Sequence, residues 1–274
     1  MISSRLPAVS TATFLRAALL SLLSLLSSLL LSGCGLWRPI TVPIGTLAEP
    51  ARCATRPDTL IVMLPGSYAR PEEFVTEGFV AALRERRIAA DVVLVDAHLG
   101  YYSDRSIVDR LRADVIAPAL AQGYKHIWLA GISVGAFGSL IYAQAQPEGI
   151  AGLALLGPYL GKRAVSEEIN AQGGLRAWRA PVGALDPGDV DTIVWRWLQP
   201  YAAARRPATR PEIFLGYGRD DRFIFSDTLL AAALPADHVF TAEGGHDYPP
   251  WRAVWARMLD AMPLPRDASC AATR

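Results

Sequence analysis

The sequence predicts an α/β protein built on a doubly wound, mostly parallel sheet. Short apolar runs, partly β-branched and bounded by proline and glycine, alternate with amphipathic segments of helical spacing. Apolar residues make up 51% of the chain and charged residues 19%, which supports a large buried core. Alternation of this kind is typical of a parallel sheet covered by helices on both faces.

The expected strands are short and are separated by segments of helical length. We predict strands at 59–64, 91–95, 127–131, 151–156, 212–216 and 238–241. We predict helices at 72–87, 104–121, 134–146 and 250–261. In the first helix, Phe74, Phe79 and Leu83 recur at helical spacing with charged residues between them. These elements predict one domain over 58–264, followed by a C-terminal tail over 265–274.

One segment, 158–211, interrupts the alternation of strands and helices. We predict a small helical insertion between two strands, lying over or beside a pocket at the edge of the sheet. It contains Trp178, Trp195 and Trp197. Their spacing favours a role in the core, and lining of a pocket is the alternative.

The overall charge balance and the cysteines exclude several classes of function. The formal net charge is +1, so neither nucleic acid nor an acidic surface is expected as a partner. No Cys-x-x-Cys pair or histidine cluster is present, and we therefore expect no metal site and no cofactor. The glycines between Gly131 and Gly138 also lack the spacing of a dinucleotide-binding loop.

The N-terminal residues have the features of a bacterial targeting segment. Arg5 and Arg16 precede an apolar run, 17–31, that is short for a membrane span. The run ends in Leu-Ser-Gly-Cys at Cys34, which resembles the lipobox of bacterial lipoproteins. This resemblance implies a signal peptide over 1–33, a lipid on Cys34 and attachment to a membrane. An ordinary secretory signal or an uncleaved anchor helix is the alternative.

The same resemblance places the chain in the cell envelope, on the periplasmic side. Gly35 follows the cysteine, and this favours the outer membrane over the inner one. Residues 34–57 are rich in proline and are predicted to be a tether into the domain.

Two cysteines remain if Cys34 is lipidated. In an oxidising compartment, Cys53 and Cys270 could form a disulfide that ties the start of the domain to its tail. Two unpaired thiols near the chain ends are the alternative.

The sequence Gly-Ile-Ser-Val-Gly over 131–135 lies between a predicted strand and a predicted helix. This is the context of a nucleophile elbow, a tight turn that exposes a serine, here Ser133. The turn strains the serine backbone, and glycines two residues away avoid collisions with neighbouring elements. A serine hydroxyl needs a base, and the base needs an orienting acid.

The base is predicted to be His246, because it follows the last predicted strand and precedes the closing helix. His126 and His238 fall at the starts of strands, whereas ligands of such sheets bind at the carboxyl ends. His98 follows a strand but precedes Ser133, so it is a candidate for the pocket only.

The acid is expected after the strand at 212–216, where Asp220 and Asp221 are adjacent. With Gly-x-Ser-x-Gly, Gly-x-x-Asp and Gly-Gly-His in this order, the chain resembles the α/β-hydrolases of the esterase and lipase superfamily over residues 59–262. In that family the acid usually lies three residues after the loop glycine. The resemblance therefore favours Asp221 over Asp220.

An oxyanion hole requires two backbone amides directed at the developing negative charge. The amide of Val134, just after the serine, is one predicted donor. The second should come from the loop after the first predicted strand, and we expect Ser67 there. Relatives often carry His-Gly in this loop, whereas this chain has Pro65-Gly66.

These features imply a serine hydrolase that cleaves a small-molecule carboxylic ester through an acyl-enzyme on Ser133. Thioester hydrolysis, amide hydrolysis and acyl transfer use the same groups and remain alternatives. A lipoprotein that retains the fold only as a binding or assembly module is an alternative of another class. The presence of all three catalytic residue types in order argues against it.

Overall fold

The structure is a computed structural model that describes residues 38–203 and 209–270. Seven strands occur there: β1 (Thr46–Glu49), β2 (Thr59–Leu64), β3 (Asp91–Val95), β4 (His126–Ile132), β5 (Ile150–Leu156), β6 (Glu212–Gly218) and β7 (Val239–Ala242). They form one sheet in the order β1-β3-β2-β4-β5-β6-β7. The pair β1–β3 is antiparallel and every other pair is parallel. The predicted mostly parallel sheet is confirmed.

The α-helices of the described residues follow the strands in the expected alternation. They are α1 (Glu73–Thr76), α2 (Phe79–Glu85), α3 (Leu99–Ser103), α4 (Ile107–Arg110), α5 (Ala117–Ala121), α6 (Val134–Ala145), α7 (Arg163–Ala171), α8 (Val190–Leu198), α9 (Ile224–Ala231) and α10 (Tyr248–Ala261). Short 3₁₀ helices cover Gln199–Ala202 and Ala236–His238. Among the described residues, none of the helices is both long and apolar enough to span a bilayer.

The core consists of two apolar layers, one on each face of the sheet. Strand β2 is buried along its whole length. Leu60, Val62 and Leu64 belong to one layer, and Ile61 and Met63 belong to the other. Successive side chains of a strand point to opposite faces, so a continuous apolar run supplies both layers.

Two predicted helices are interrupted in the structure. The helix expected over 72–87 divides into α1 and α2 at Gly78, whose φ of 81° a helix does not allow. The helix expected over 104–121 contains a π-helical segment, Leu111–Ile116, between α4 and α5. Pro118 follows this segment and has no amide hydrogen to donate, which is consistent with the local change in hydrogen bonding.

The tether predicted over 34–57 is corrected by the structure, because the compact unit begins at Ile40. Strand β1 lies within this range and adds an antiparallel edge to the sheet. Ile44 is buried, and its amide donates to Asp114 Oδ2 at 2.8 Å. The guanidinium of Arg84 donates to the Glu49 carbonyl oxygen at 2.6 Å. A four-residue strand with an exposed face has too little apolar alternation to be recognised from the sequence.

The predicted tail is also packed on the domain over its described part. The Ala89 amide donates to the Pro265 carbonyl oxygen at 2.8 Å, and the Asp267 amide donates to the Arg87 carbonyl oxygen at 3.0 Å. Cys53 and Cys270 are joined by a disulfide. The predicted signal peptide over 1–33 and the lipidation site Cys34 lie outside the described residues.

The segment 158–211 contains α7, α8 and the 3₁₀ helix that follows, as expected of a helical insertion. Trp178 and Trp195 are buried in the core. Their indole nitrogens donate to Glu168 Oε1 and to the Leu160 carbonyl oxygen, each at 2.9 Å. Both side chains therefore serve packing, which is the interpretation that their spacing favoured.

Candidate active site

Ser133 lies on a strained turn after the central strand of the sheet. Its φ of 56° and ψ of −117° connect the end of β4 to the start of α6. A Cβ atom on Gly131 would lie 2.4 Å from the Ala136 nitrogen, and one on Gly135 would lie 2.1 Å from the Leu64 carbonyl oxygen. Glycine is required at both positions because no side chain fits between these backbones.

His246 lies on the loop between β7 and α10, beside the serine. Its Nε2 atom is 2.9 Å from Ser133 Oγ. Its Nδ1 atom is 2.8 Å from Asp221 Oδ2 and 3.0 Å from Oδ1. Since an ionised carboxylate only accepts hydrogen bonds, Nδ1 carries the proton and Nε2 accepts from the serine hydroxyl. The predicted serine, histidine and Asp221 thus form one chain of hydrogen bonds.

The carboxylate of Asp221 is fixed by the turn that follows β6. The residue is 1% exposed, and its Oδ1 also accepts from the Phe223 amide at 2.8 Å. Asp220 is exposed, and its amide donates to the Gly244 carbonyl oxygen at 2.9 Å. Of the two adjacent aspartates, Asp221 is the one that contacts the imidazole.

Two aromatic rings hold the imidazole of His246 from its sides. Phe223 and Trp251 each contact it edge to face, with centroids 4.9 Å away and planes at 90°. Such contacts restrict the rotation of the ring and shield it from water. Neither residue was predicted from the sequence, although both lie close in sequence to a predicted member of the site.

Gly157 is a third residue of the site that was not predicted from the sequence. It follows β5 directly, and its φ is 47°. A Cβ atom there would lie 2.6 Å from Trp251 Nε1 and 2.9 Å from Asp221 Oδ2. The sequence feature that could have identified it is a glycine directly after a central strand. Such a glycine often marks a close approach of the backbone to other groups, here to Asp221 and Trp251.

A second aspartate, Asp227 on α9, is completely buried close to Asp221. Neither of its carboxylate oxygens has a hydrogen-bond partner among the described residues. Burial raises the pKa of Asp227 well above its ordinary value, and the negative charge of Asp221 raises it further. The group is therefore held in its neutral form more strongly than an exposed aspartate.

The two predicted oxyanion donors line the same cavity as Ser133. Ser67 and Val134 both contribute to its wall, and a Cβ atom on Gly66 would lie 3.7 Å from Ser133 Cβ. Within the described part of the chain, neither the Ser67 nor the Val134 amide donates to a protein acceptor. Both amides are thus available to a ligand atom.

The cavity in front of Ser133 has a volume of about 750 Å³. Residues of α6 line it, together with residues of α4 and α8, two helices that pack against α6. The lining is mainly apolar, and the apolar residues on these three helices are Val134, Phe137, Ile141, Ile107, Val108, Val190 and Ile193. We call this cavity, with the residues around its opening, the groove.

The remaining histidines lie away from this arrangement. The buried His98 accepts a hydrogen bond from the Gly100 amide at its Nδ1, 3.1 Å away, and is absent from the lining of the groove. His126 borders another cavity of about 650 Å³ at the opposite edge of the sheet, and His238 stacks on Phe214. Among residues 38–203 and 209–270, no cluster of three or more His, Cys, Asp or Glu side chains is arranged to hold a metal ion.

No protein-family model matches the chain, and no curated protein matches its sequence. Solved structures do match. Enterochelin esterase from Shigella flexneri superposes with a TM-score of 0.50 and 17% identity, over 79% of this chain and 54% of the esterase. An S-formylglutathione hydrolase from Staphylococcus aureus gives a TM-score of 0.49 and 15% identity, over 78% of this chain and 82% of the other.

At such identities the likeness bears on architecture alone. The sheet has seven strands, of which six are parallel, and its central strand, β4, ends in the nucleophile elbow. The chain therefore has the α/β-hydrolase fold.

Proposed function

We propose that the chain is a serine hydrolase that cleaves a carboxylic ester through an acyl-enzyme on Ser133. The observation that carries this proposal is the continuous hydrogen-bond chain from Ser133 Oγ through His246 to Asp221. It starts at a strained serine backbone, where strain is commonly stored at functional sites. A domain that served only for binding would have no use for this chain.

In the first half of the reaction, Ser133 Oγ attacks the ester carbonyl carbon while His246 Nε2 takes the hydroxyl proton. The carboxylate of Asp221 stabilises the resulting imidazolium. The amides of Ser67 and Val134 stabilise the negative oxygen of the tetrahedral intermediate. His246 then gives its proton to the leaving alkoxy oxygen as the carbon–oxygen bond breaks, and the acyl group remains on Ser133.

In the second half, water attacks the acyl carbon and His246 takes a proton from it. The intermediate collapses to release the carboxylic acid, and the proton returns to Ser133 Oγ. Thioesters and amides pass through the same intermediates, and an alcohol in place of water gives acyl transfer. The apolar lining of the groove favours an aliphatic acyl chain as the part of the substrate that lies there.

The proposal is tested with p-nitrophenyl esters from acetyl to palmitoyl, and with a matching thioester and anilide. The protein is the chain from residue 36, which includes the whole compact unit from Ile40 onward. We expect hydrolysis that Ser133→Ala reduces by at least about a thousandfold. Ser103→Ala is the matched control, because Ser103 lines the groove and is exposed. Activity that survives Ser133→Ala would contradict the proposal.

We also propose that the protein is anchored to a bacterial membrane through a lipid on Cys34, on the periplasmic side and preferably at the outer membrane. The lipobox-like sequence before Cys34 supports this location, and the Cys53–Cys270 disulfide is typical of an oxidising compartment. Two or more acyl chains hold a protein on a bilayer stably. We expect the full chain to fractionate with membranes, and Cys34→Ala to release it or block its processing. A Cys34→Ala chain that is cleaved and held on membranes like the wild type would contradict the proposal.

A further inference from the structure

The basic side chains at the opening of the groove are not balanced by acidic ones. Arg105, Lys162 and Arg222 line it, and Asp191 is the one carboxylate among its described lining residues. The whole chain has 27 basic and 26 acidic residues, so this excess is local. Uncompensated charge of one sign around a concave surface attracts ligands of the opposite sign.

The three cations come from separate loops at the same edge of the sheet as Ser133. Arg105 precedes α4, Lys162 precedes α7, and Arg222 follows β6. The carboxyl ends of the parallel strands meet at this edge, which is where ligands of such sheets bind. The fold thus brings together charges that lie far apart in the sequence.

Two of these cations form no ion pair within the described residues. Lys162 Nζ lies 3.9 Å from Asp191 Oδ2, whereas no carboxylate is within 4 Å of Arg105 or Arg222. The Arg222 guanidinium lies 5.0 Å from the centre of the Phe223 ring, which itself contacts His246. The Arg222 guanidinium therefore lies beside the aromatic ring that contacts His246.

Arg105 lies near the loop that precedes α8. A Cβ atom on Gly188 would be 3.2 Å from Arg105 Nη2 and 3.3 Å from Asp186 Oδ1. Asp186 Oδ1 accepts from the Gly188 amide at 2.8 Å and forms no ion pair with Arg105. Arg105 is exposed, whereas Ile107, two residues later, is buried and Val108 is half-buried, and all three line the groove. The charge therefore sits at the opening, above an apolar interior.

The interior is long enough for an aliphatic chain. Val134, Phe137, Ile141 and Gln144 line the groove along successive turns of α6. At about 1.5 Å per residue, the distance from Val134 to Gln144 is roughly 15 Å. A carbon–carbon bond of about 1.5 Å advances an extended chain by roughly 1.3 Å, so an acyl group of around ten carbons could extend along this face.

We propose that the substrate is an amphiphilic ester with an aliphatic acyl chain in the groove and an anionic group, a carboxylate or a phosphate, bound by Arg105 and Arg222. Arginine suits this role because its planar donors match both anions in two-point contacts. The inference rests on the proposed function, since it names the substrate class of the same site. The anionic group belongs either to the leaving alcohol or to the far end of the acyl chain.

Two matched pairs of esters test the charge preference. The leaving-group pair is 4-(octanoyloxy)benzoate and its neutral methyl ester. The acyl pair is mono-p-nitrophenyl octanedioate and p-nitrophenyl octanoate. Each kcat/KM is divided by the rate of hydroxide-catalysed hydrolysis of the same ester. We expect this normalised kcat/KM to be at least about tenfold higher for the anionic member of one pair than for its neutral partner. Addition of 0.5 M NaCl should reduce this anionic-to-neutral ratio. Ratios near one in both pairs would overturn the inference.

The variants Arg105→Gln and Arg222→Gln, singly and together, assign the preference to these side chains. We expect the anionic-to-neutral ratio of kcat/KM to fall with each variant and to approach one in the double variant. Lysine at the same positions should restore part of it. Arg112→Gln is the control, because Arg112 is exposed and lies outside the lining of the groove. A ratio that the double variant leaves unchanged would overturn the inference.

Direct binding separates this inference from the proposed function. Calorimetry with the Ser133→Ala chain compares octyl phosphate with octanol, and needs no turnover. We expect octyl phosphate to bind at least about tenfold more tightly than octanol. This difference should shrink in the triple variant, in which both arginines are also replaced. These results would support the anion site even if no ester is cleaved. Equal affinities overturn the inference while leaving ester hydrolysis untouched.

Discussion

At the residue scale, the conformation of Ser133 depends on glycines whose side chains would collide with the backbone. In Gly135→Ala, the added methyl group would lie 2.1 Å from the Leu64 carbonyl oxygen, so the turn or the neighbouring loop has to move. We expect a fall in the free energy of unfolding of about 2 kcal/mol or more, and a loss of ester hydrolysis of about a hundredfold or more. Thermal unfolding and p-nitrophenyl ester assays measure both effects.

Gly45→Ala is the control for this prediction. Its added Cβ atom would lie 3.4 Å from Asp96 Cβ, which is ordinary contact, and its φ is not positive. We expect a change in stability within about 0.5 kcal/mol. Equal behaviour of the two variants would show that the close approach at Gly135 is unimportant.

Asp227 gives a prediction about stability and pH. Its pKa is raised in the folded chain above the ordinary value of 3.8, mainly by burial. The folded chain therefore favours the protonated form of Asp227. The stability that this form adds is lost as the pH rises from the pKa of Asp227 in the unfolded chain through its pKa in the folded chain. Asp227→Asn stays neutral, so it should be more stable than the wild type at pH 7, by about 1 kcal/mol or more.

The pH dependence distinguishes this effect from simple repacking. The advantage of Asp227→Asn over the wild type should shrink as the pH is lowered towards 4, where both side chains are neutral. Urea unfolding at a series of pH values measures it. A difference that is constant with pH would mean that the ionisation of Asp227 is not involved.

At the scale of elements, Glu73 on α1 connects two segments that adjoin proposed catalytic groups. Its Oε1 accepts from the Arg70 amide at 2.7 Å, and its Oε2 accepts from the Tyr248 hydroxyl at 2.5 Å. Arg70 follows the loop with the proposed donor Ser67, and Tyr248 follows His246 by two residues. The carboxylate thus connects the loop that precedes Arg70 to the segment that follows His246.

We expect Glu73→Ala to lower kcat by about tenfold, because both loops lose a charge-assisted hydrogen bond. Tyr248→Phe should lower it by less, since the contact to Arg70 remains. The double variant should resemble Glu73→Ala, because both changes remove the same contact. Glu72→Ala is the matched control on the neighbouring exposed residue. If the effects of Glu73→Ala and Tyr248→Phe on kcat add in the double variant, the two residues do not act through a shared contact.

At the scale of the whole molecule, the disulfide joins the two ends of the domain. Cys53 and Cys270 are 217 residues apart in sequence. Closing so long a loop restricts the unfolded chain strongly, and the chain-entropy relation gives about 5 kcal/mol as an upper value. We expect Cys53→Ser with Cys270→Ser to reduce the free energy of unfolding by about 2–5 kcal/mol.

Chemical denaturation of the double variant, compared with the oxidised wild type, measures this effect. Cys53 lies between β1 and the amino end of β2, whereas the site lies beyond the carboxyl ends of β4, β6 and β7. We therefore expect kcat/KM at 25 °C to be within about twofold of the wild type while the domain stays folded. Reduction of the wild type should give the same loss of stability. A variant as stable as the oxidised wild type would contradict the proposed role of the disulfide.

Much of the architecture could be predicted because it depends on local patterns. The run Thr59–Leu64 is apolar on both sides of the strand, and a buried parallel strand requires this. The elbow around Ser133 was recognisable because only glycine is tolerated two residues away on either side. The order of serine, acid and histidine then restricted the partners to His246 and to Asp220 or Asp221.

Other features depend on contacts between residues that are distant in sequence. Strand β1 exists because its four residues pair with β3, and nothing in their own alternation indicates it. Phe223, Trp251 and Gly157 enclose the imidazole and the acid only after β5, β6 and α10 have packed together.

The sequence by itself determined the alternation of strands and helices and the elbow glycines around Ser133, because apolar periodicity and local sterics are encoded in neighbouring residues. The order of its motifs carried the resemblance to the α/β-hydrolases and, with it, the residue types of the partners of Ser133. The tertiary structure alone decided that Asp221 contacts His246, that Asp227 is buried beside it, and that Arg105 and Arg222 share one opening. These depend on which loops meet at the carboxyl edge of the sheet. That meeting is set by strand order and helix packing, whose energy is distributed over the whole core.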